Sequence, residues 1–372
     1  MKSGKLLTSI GAPAIALFIA FLIASLVLRL VDIDPLTAYS EMWTFGTTTE
    51  SLISTVNRAI PLFVSALAVA IGFKMGLFNI GVEGAYLLAA LIAAYVGALY
   101  SIPAVLHVLS ILIIAMVVGS AWNGLAGWLK VKRGVHEVIS TIMLNFISLS
   151  LIAYLFINHL SAENTTLTVA TTLIPETGWI PSLNPVLGWF GIEPRAGSEL
   201  HGFLIIALFL GVFYHYLVNR SRFGYDLRAS GVNASAANAS GVNPNRMIIK
   251  TMLLSGAIAG LVGMSPLLGF SHQYVQDIPT GLGFAGIAVA LLGRNNPVGM
   301  AFGALLFGFL NRSSLILDLK GVPKEIVTIF LGVVVLTVVI VYEVVSRYVQ
   351  RRTVAAAALA TTDDEDLEPV AS

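Results

Sequence analysis

Long apolar runs separated by short polar segments dominate this sequence. Several of these runs approach about 20 residues, the length that an α-helix needs to cross the roughly 30 Å hydrocarbon layer of a bilayer. Only 11% of the 372 residues are Asp, Glu, Lys or Arg, whereas a soluble domain has roughly 25%. These features exclude an ordinary soluble enzyme and predict an all-α polytopic membrane protein.

The apolar runs predict about ten transmembrane helices, with roughly eight to ten as the range. They lie near 10–30, 59–73, 82–100, 103–129, 136–158, 202–218, 247–269, 282–293, 297–311 and 325–346. The runs at 59–73 and 282–293 are short and adjoin Gly-rich turns, so each is either a full crossing or a broken, re-entrant helix. The first run has no clear small-residue cleavage site and is predicted to be retained as a helix rather than removed as a signal peptide.

Charge asymmetry predicts the orientation of the chain, because cytoplasmic segments carry an excess of Lys and Arg. With the N-terminus inside, the inner segments hold Lys2, Lys5, Lys74, Lys130, Lys132, Arg133, Arg220, Arg222, Arg228, Arg246, Lys250, Arg294, Arg347, Arg351 and Arg352. The outer segments hold Asp32, Asp34, Glu41, Glu50, Glu163, Glu176, Glu193, Glu199 and Asp277. We therefore expect both termini in the cytoplasm, and the second to fifth and seventh to tenth spans resemble an inverted repeat.

The chain is predicted to be one transmembrane domain, 1–352, with two polar insertions and a polar tail. Residues 161–201 are rich in Thr, Pro and Gly and predict an external loop or cap, with Trp179 and Trp189 at the headgroup level. Residues 219–246 predict a structured cytoplasmic loop. Residues 353–372 are an Ala run followed by acidic residues, which predicts a disordered cytoplasmic tail.

Several classes of chemistry lack their sequence signatures. The chain has no phosphate-binding loop of the Gly-x-x-x-x-Gly-Lys-Ser/Thr type, no Cys, and no metal-ligand spacing among its six His residues. A net charge of +1 gives no general attraction to nucleic acid. We therefore expect neither catalytic residues nor a metal or cofactor in this chain, and no nucleic-acid partner.

The loop at 219–246 contains the signals of a short helix of its own. Asn233 is suited to cap the helix by accepting a backbone N–H bond, and Gly241 is suited to the left-handed position after its end. Ala236 and Ala237 lie in the small-residue stretch between them, and Arg228 precedes it. The basic residues are explained either by simple anchoring at the cytoplasmic face or by a docking surface that transmits motion from a partner.

Two polar clusters interrupt otherwise apolar helices. In the segment 76–84, Phe78, Asn79 and Glu83 lie among three glycines, and a carboxylate near lipid needs a partner, a cavity or the bundle interior. These side chains either satisfy backbone groups freed by the break or contact a solute.

A polar stripe marks the helix that begins near His136. Glu137, Thr141 and Asn145 recur at intervals of four, so that they share one helix face, with Asn145 the deepest. Helix-to-helix hydrogen bonding and a translocation path explain this stripe equally well. Phe284, in the Gly-rich segment 281–286, either stacks on an aromatic solute or fills space.

These blocks together resemble a known family of permeases. The segments Gly-Leu-Phe-Asn-Ile-Gly-Val-Glu-Gly at 76–84, Val-His-Glu-Val-Ile-Ser-Thr-Ile-Met-Leu-Asn at 135–145, Leu-Arg-Ala-Ser-Gly-Val-Asn at 227–233 and Gly-Phe-Ala-Gly-Ile-Ala-Val-Ala-Leu-Leu-Gly at 283–293 carry the resemblance. They are similar to ABC importer permeases of the ribose and branched-chain amino acid superfamily, and the first two are similar to its nucleoside-uptake branch.

The resemblance implies a multi-pass subunit of a bacterial-type inner or plasma membrane that imports nucleosides by alternating access. It implies a second related permease or a second copy of the same chain, a separate cytoplasmic ABC ATPase that binds ATP and Mg²⁺, and an extracytoplasmic substrate-binding lipoprotein. Arg228, Asn233, Ala236, Ala237 and Gly241 would belong to the helix that couples to the ATPase. A ribose-type sugar permease, a branched-chain amino acid permease, an ion-gradient-driven secondary transporter and a non-transport scaffold are the alternatives.

Overall fold

The computed structural model describes residues 12–30, 32–162, 169–195 and 197–323, with scattered positions between 329 and 351. The tail at 353–372 and most of the last predicted span, 325–346, lie outside the described residues. Residues Thr44–Ser313 form one compact unit, and the described parts of Met1–Trp43 and Ser314–Ser372 form another.

The described residues are mostly helical, with one isolated β-bridge between Ala170 and Val275. A π-helical turn, Phe156–Leu160, continues the sixth helix, and two short turns, Met264–Pro266 and Leu267–Ser271, continue the eleventh. In chain order the helices are α1 (Ala12–Leu30), α2 (Pro35–Gly46), α3 (Thr49–Lys74), α4 (Val82–Ala98), α5 (Ala104–Arg133), α6 (Glu137–Leu155), α7 (Asn184–Trp189), α8 (Phe203–Arg220), α9 (Arg222–Val232), α10 (Ala234–Ala239), α11 (Pro244–Gly260), α12 (Leu282–Leu292), α13 (Pro297–Ser313) and α14 (Leu315–Leu319).

Six of the described helical segments are long and apolar enough to cross a bilayer, and three shorter apolar helices accompany them. The six begin at Thr49, Ala104, Glu137, Phe203, Pro244 and Pro297. The shorter ones are Phe21–Leu30, Val82–Ala98 and Leu282–Leu292. This confirms a polytopic α-helical membrane protein. The total of about ten spans and the cytoplasmic position of both termini stay predictions.

The predicted short span at 59–73 was wrong in its length. It belongs to α3, which runs unbroken for 26 residues and carries Pro61 in its interior. The apolar run stops early because Ser54, Asn57 and Arg58 are polar, and α3 tolerates them since it is surrounded by α11, α12 and α13 rather than by lipid. The other short span is indeed short: α12 has 11 residues.

Small residues bring α5 and α11 into close contact. A Cβ atom on Gly256 or Gly260 would overlap backbone atoms of Gly119 and Ala115 on α5. The contact requires glycine at these positions, because only glycine lets two helix backbones approach this closely.

The described part of the insertion at 161–201 is ordered. Its backbone bonds to the segment after α11, with the Ile174 N–H donating to the His272 carbonyl at 2.8 Å. The Trp179 indole stacks on the His272 ring at 3.9 Å, whereas Trp189 is 83% exposed. The insertion therefore forms a cap over one end of the helices, and its external location stays a prediction.

Candidate functional site

The loop at 219–246 folds into two short helices with side-chain caps at each start. Ser221 accepts the Gly224 N–H at the start of α9, and Asn233 accepts the Ala236 N–H at 3.0 Å at the start of α10. Gly241 follows α10 with a φ of +83°, a left-handed conformation that favours glycine. The predicted cap and the predicted left-handed glycine are therefore confirmed.

α10 is an exposed helix that packs on α9, and α9 in turn contacts the end of α3. Of its residues only Ala237 is buried, and Ala236 faces outward. The Arg228 guanidinium donates to the Val218 carbonyl, which ties α9 to α8. At Gly231 even a methyl group would collide with the backbone of Lys74 and Met75, so α9 and the end of α3 touch directly. An open groove of about 770 Å³ separates α9 from α10.

We use the name junction for Phe78, Asn79, Glu83, Glu137, Thr141 and Asn145, which meet near the start of α4. Glu83 is 5% exposed, and its carboxylate accepts the backbone N–H groups of Gly281 at 2.6 Å and Gly283 at 2.7 Å. The Tyr86 hydroxyl donates to the same carboxylate at 3.1 Å. Glu83 therefore caps the N-terminus of α12, where four backbone N–H groups lack helical partners.

The two junction amides also bond to the protein itself. Asn145 accepts the Gly84 N–H at 2.9 Å and donates to the Ile80 carbonyl at 3.1 Å, so both ends of its amide are used. Asn79 accepts the Gly81 N–H and donates to Ser255 on α11, each at 2.9 Å. The sequence left two interpretations open: hydrogen bonding to backbone groups at the helix breaks, or contact with a solute. This geometry supports the first.

The remaining polar members of the junction are likewise engaged. Glu137 pairs with Lys130 at 2.6 Å and accepts the Phe78 N–H at 3.4 Å, while Thr141 donates to the Glu137 carbonyl. The rings of Phe78 and Phe284 are 39% and 53% exposed, so they can still meet a solute. A translocation role for the junction stays a prediction.

One buried amide beside the junction was missed by the sequence reading. Asn123 on α5 is fully buried next to Gly81, and neither atom of its amide has a hydrogen-bond partner among the described residues. The only sequence signal for Asn123 is a polar residue within an apolar helix. This signal does not show whether the side chain finds a hydrogen-bond partner.

A cavity of about 790 Å³ lies at the other end of α3. Its wall includes Glu50, Ser54, Asn57 and Arg58 on α3, and the rest comes from the cap, the segment after α11, the start of α12 and the end of α13. About 20 residues of α3 separate Ser54 from Lys74, which corresponds to about 30 Å of helix. The cavity and the α9–α10 loop therefore lie at opposite ends of one helix, a bilayer thickness apart.

The charged side chains that line the cavity are equal in number: two glutamates, Glu50 and Glu199, and two arginines, Arg58 and Arg312. Glu50 also pairs with Arg195 at 3.3 Å. Burial, and to a lesser degree the charge of His272, lowers the pKa of His201 to about 4, and burial lowers the pKa of His272 as well. Both histidines are therefore neutral at pH 7, and the cavity suits an uncharged polar solute.

The cavity could not be predicted from the sequence, because its residues are far apart in the chain. Arg58 directly precedes the apolar run at 59–73, and an ionisable residue inside a membrane helix is itself a signal of function. No group of three His, Asp or Glu side chains in the described ranges is arranged to hold a metal ion.

Comparison with known proteins shows the protein family to which the chain belongs. Residues 51–339 match the family described as "Branched-chain amino acid transport system / permease component", and the chain belongs to this family. No solved structure matches the chain.

Three relatives match over most of their length. The guanosine ABC transporter permease protein NupP of Bacillus subtilis is 36% identical over 91% of this chain and 96% of its own. The nucleoside ABC transporter permease protein NupB of Lactococcus lactis is 31% identical over 87% and 88%. The glucose ABC transporter permease protein TsgB13 of Haloferax volcanii is 30% identical over 88% and 86%.

Proposed function

We propose that this chain is the transmembrane permease subunit of an ATP-driven ABC importer for nucleosides and moves solute inward by alternating access. The observation that carries the proposal is the arrangement along α3: a solute-sized cavity at one end and the exposed, capped helix α10 at the other. Similarity to a guanosine permease over 91% of the chain supports the nucleoside as substrate.

In this proposal α10 is the coupling helix that docks on a separate ABC ATPase, where ATP and Mg²⁺ bind. Ala236 presents its outer face, Asn233 and Gly241 fix its two ends, and Ala237 seats it. Movement of α9 reaches α3 through the contact of Gly231 with Lys74 and Met75. A rigid helix then transmits the displacement across the membrane to the cavity.

The cavity end then faces the outside of the cell membrane, where a substrate-binding lipoprotein delivers the solute. α12 lies beneath the cavity, because Gly281, Leu282 and Ala285 line it, and Glu83 holds the start of this helix. Displacement of α12, which carries the exposed ring of Phe284, relative to the exposed ring of Phe78 would open the path inward. A second permease subunit, related or identical, would complete the importer.

A sugar permease is the second candidate, because the glucose permease of Haloferax volcanii is 30% identical over 88% of the chain. Sugars and nucleosides share hydroxyl groups, and a cavity of this size with equal numbers of acidic and basic side chains accepts either. Only the nucleoside carries an aromatic base. The two candidate permeases therefore differ in which solutes compete for uptake, nucleosides or sugars.

The test is uptake of labelled nucleosides and glucose by cells with and without the gene. We expect deletion to abolish nucleoside uptake, and we expect ATP depletion to stop uptake while collapse of the proton gradient does not. Sensitivity to the gradient alone would indicate a secondary transporter, and loss of glucose uptake alone would indicate a sugar permease.

A variant pair on α10 tests the coupling role. Ala236→Arg places a long side chain on the exposed face and should abolish uptake at a normal amount of protein in the membrane, because the ATPase can no longer dock. The matched control Ala236→Ser keeps a small side chain and should transport normally. Normal uptake by the Arg variant would contradict the assignment.

A further inference from the structure

Arg58 is the most unusual side chain of the cavity. It lies on α3, inside a span of 26 residues, and its guanidinium has no hydrogen-bond or ion-pair partner among the described residues. An unpaired charge at this depth is costly, so it is retained only where it meets water, a partner or a ligand. Because Arg58 lines the cavity, the ligand of the cavity is within its reach.

The ring of Phe270 supplies the second element of a binding site. It lines the same cavity and is 74% exposed, although it belongs to the segment that continues α11. Aromatic rings that stand open in a polar cavity stack well on flat, aromatic solutes. A sugar has no such face, whereas every nucleobase does.

The hydroxyls of Ser54 and Thr280 line the cavity as well and make no hydrogen bond within the described part of the chain. A hydroxyl both donates and accepts, which suits the hydroxyls of a ribose. The wall holds as many glutamates as arginines, so its formal charge does not favour an additional negative charge such as a phosphate.

We propose that the cavity binds a nucleoside with its base stacked on Phe270 and its acceptor edge facing Arg58, and that it selects 6-oxopurines. This inference rests on the proposed function and adds the class of base. The guanidinium is a planar fork with donors only, and it matches two adjacent acceptors. Guanine and hypoxanthine present O6 and N7 in this arrangement, whereas adenine presents a donor at N6 beside N7.

The pyrimidine bases fit less well. At the position that corresponds to O6 of guanine, cytosine presents an amino donor, and uracil offers one carbonyl without an adjacent ring acceptor. Among the purine nucleosides the order of preference is therefore guanosine and inosine first and adenosine last.

The experiment uses the complete transporter in cells that lack the chromosomal gene and carry a plasmid copy. Initial uptake rates are measured for labelled guanosine, inosine, adenosine and cytidine, together with the amount of protein in the membrane. The variants are Arg58→Gln, Arg58→Lys, Phe270→Ala and Phe270→Tyr. Arg195→Gln is the control, because it removes a positive charge at the same end from a side chain outside the cavity wall.

We expect Arg58→Gln to lower guanosine and inosine uptake about 10-fold or more, and adenosine uptake less than about 3-fold. Arg58→Lys should give the same loss of preference, because an ammonium group lacks the fork. Phe270→Ala should lower uptake of all purine nucleosides, and Phe270→Tyr should restore it. The control should stay within about 2-fold of the wild type.

Equal loss for all nucleosides in Arg58→Gln and Arg58→Lys, at a normal amount of protein, would overturn the proposal, and so would unchanged preference. If Arg58→Gln does not reach the membrane, Arg58→Lys serves as the test. The quantity compared is again the ratio of guanosine and inosine uptake to adenosine uptake. A wild-type transporter that takes up no nucleoside at all would instead overturn the proposed function, so the two failures are distinguishable.

Discussion

The junction and the cavity both combine polar residues with glycines, yet they differ in how their polar atoms are used. In the junction, Glu83, Asn145 and Asn79 bond to backbone groups at the breaks between helices. In the cavity, Arg58 and Ser54 have no such bonds within the described residues, and open space adjoins them. A polar side chain in a membrane helix therefore indicates a solute site only when it makes no hydrogen bonds to nearby backbone groups.

The difference has an energetic basis. Unsatisfied backbone groups in a lipid-surrounded bundle cost several kcal/mol each, and a fixed side chain that supplies their bonds stabilises the fold. A side chain that leaves its own bonds unmade stabilises nothing in the free protein, so its benefit comes with a ligand. We therefore expect stability to be sensitive in the junction and transport selectivity to be sensitive in the cavity.

The largest effect is expected for Glu83→Ala. The change removes the acceptors of the Gly281 and Gly283 N–H groups in a buried place, and should lower the free energy of unfolding in mixed micelles by about 3 kcal/mol. Glu50→Ala, at the rim of the cavity, is the control and should change it by less than about 1 kcal/mol. Equal effects of the two variants would remove the distinction between the regions.

Asn145→Ala should come next, with a loss of about 2 kcal/mol, because the Gly84 N–H and the Ile80 carbonyl both lose a partner. Asn123→Ala removes a buried amide that makes no bond among the described residues, and should cost less than about 1 kcal/mol. The same micellar unfolding measurement compares the two. A larger loss for Asn123 would show that this amide has a partner after all.

His201, at the cavity end, should make the stability of the protein depend on pH between pH 7 and pH 5. Because the pKa of His201 is lowered to about 4, the unfolded state binds more protons between that value and the ordinary value of about 6.5, and stability falls as the pH falls through this window. We expect about 1.5 kcal/mol less stability at pH 5 than at pH 7. His201→Gln should flatten this slope, and an unchanged slope in the variant would rule out His201 as its source.

The smallest effect on stability is expected for Ser54→Ala. Its hydroxyl makes no hydrogen bond within the described ranges, so the free energy of unfolding should change by less than about 0.5 kcal/mol. Nucleoside uptake should nevertheless fall measurably, because a ribose hydroxyl loses a partner. A stability loss as large as that of Asn145→Ala would place Ser54 in the framework instead.

Much of the fold could be predicted from local sequence. The apolar runs predicted most of the described apolar helices to within a few residues, because burial in lipid demands about 20 apolar residues wherever a helix is exposed to it. Asn233 and Gly241 marked the ends of α10, since capping depends on residues a few positions apart. The close contact of α11 with α5 also depends on local spacing, because Gly256 and Gly260 are four residues apart and share one helix face.

The tertiary structure decided what the sequence left open. α3 is longer than its apolar run because other helices surround its polar half, which no local window reveals. The bond from Gly281 to Glu83 joins residues 198 positions apart, and the cavity draws on segments from Glu50 to Arg312. Residue types determine which groups need partners, but only the packing of distant segments determines which partners they meet and which polar atoms remain open to a solute.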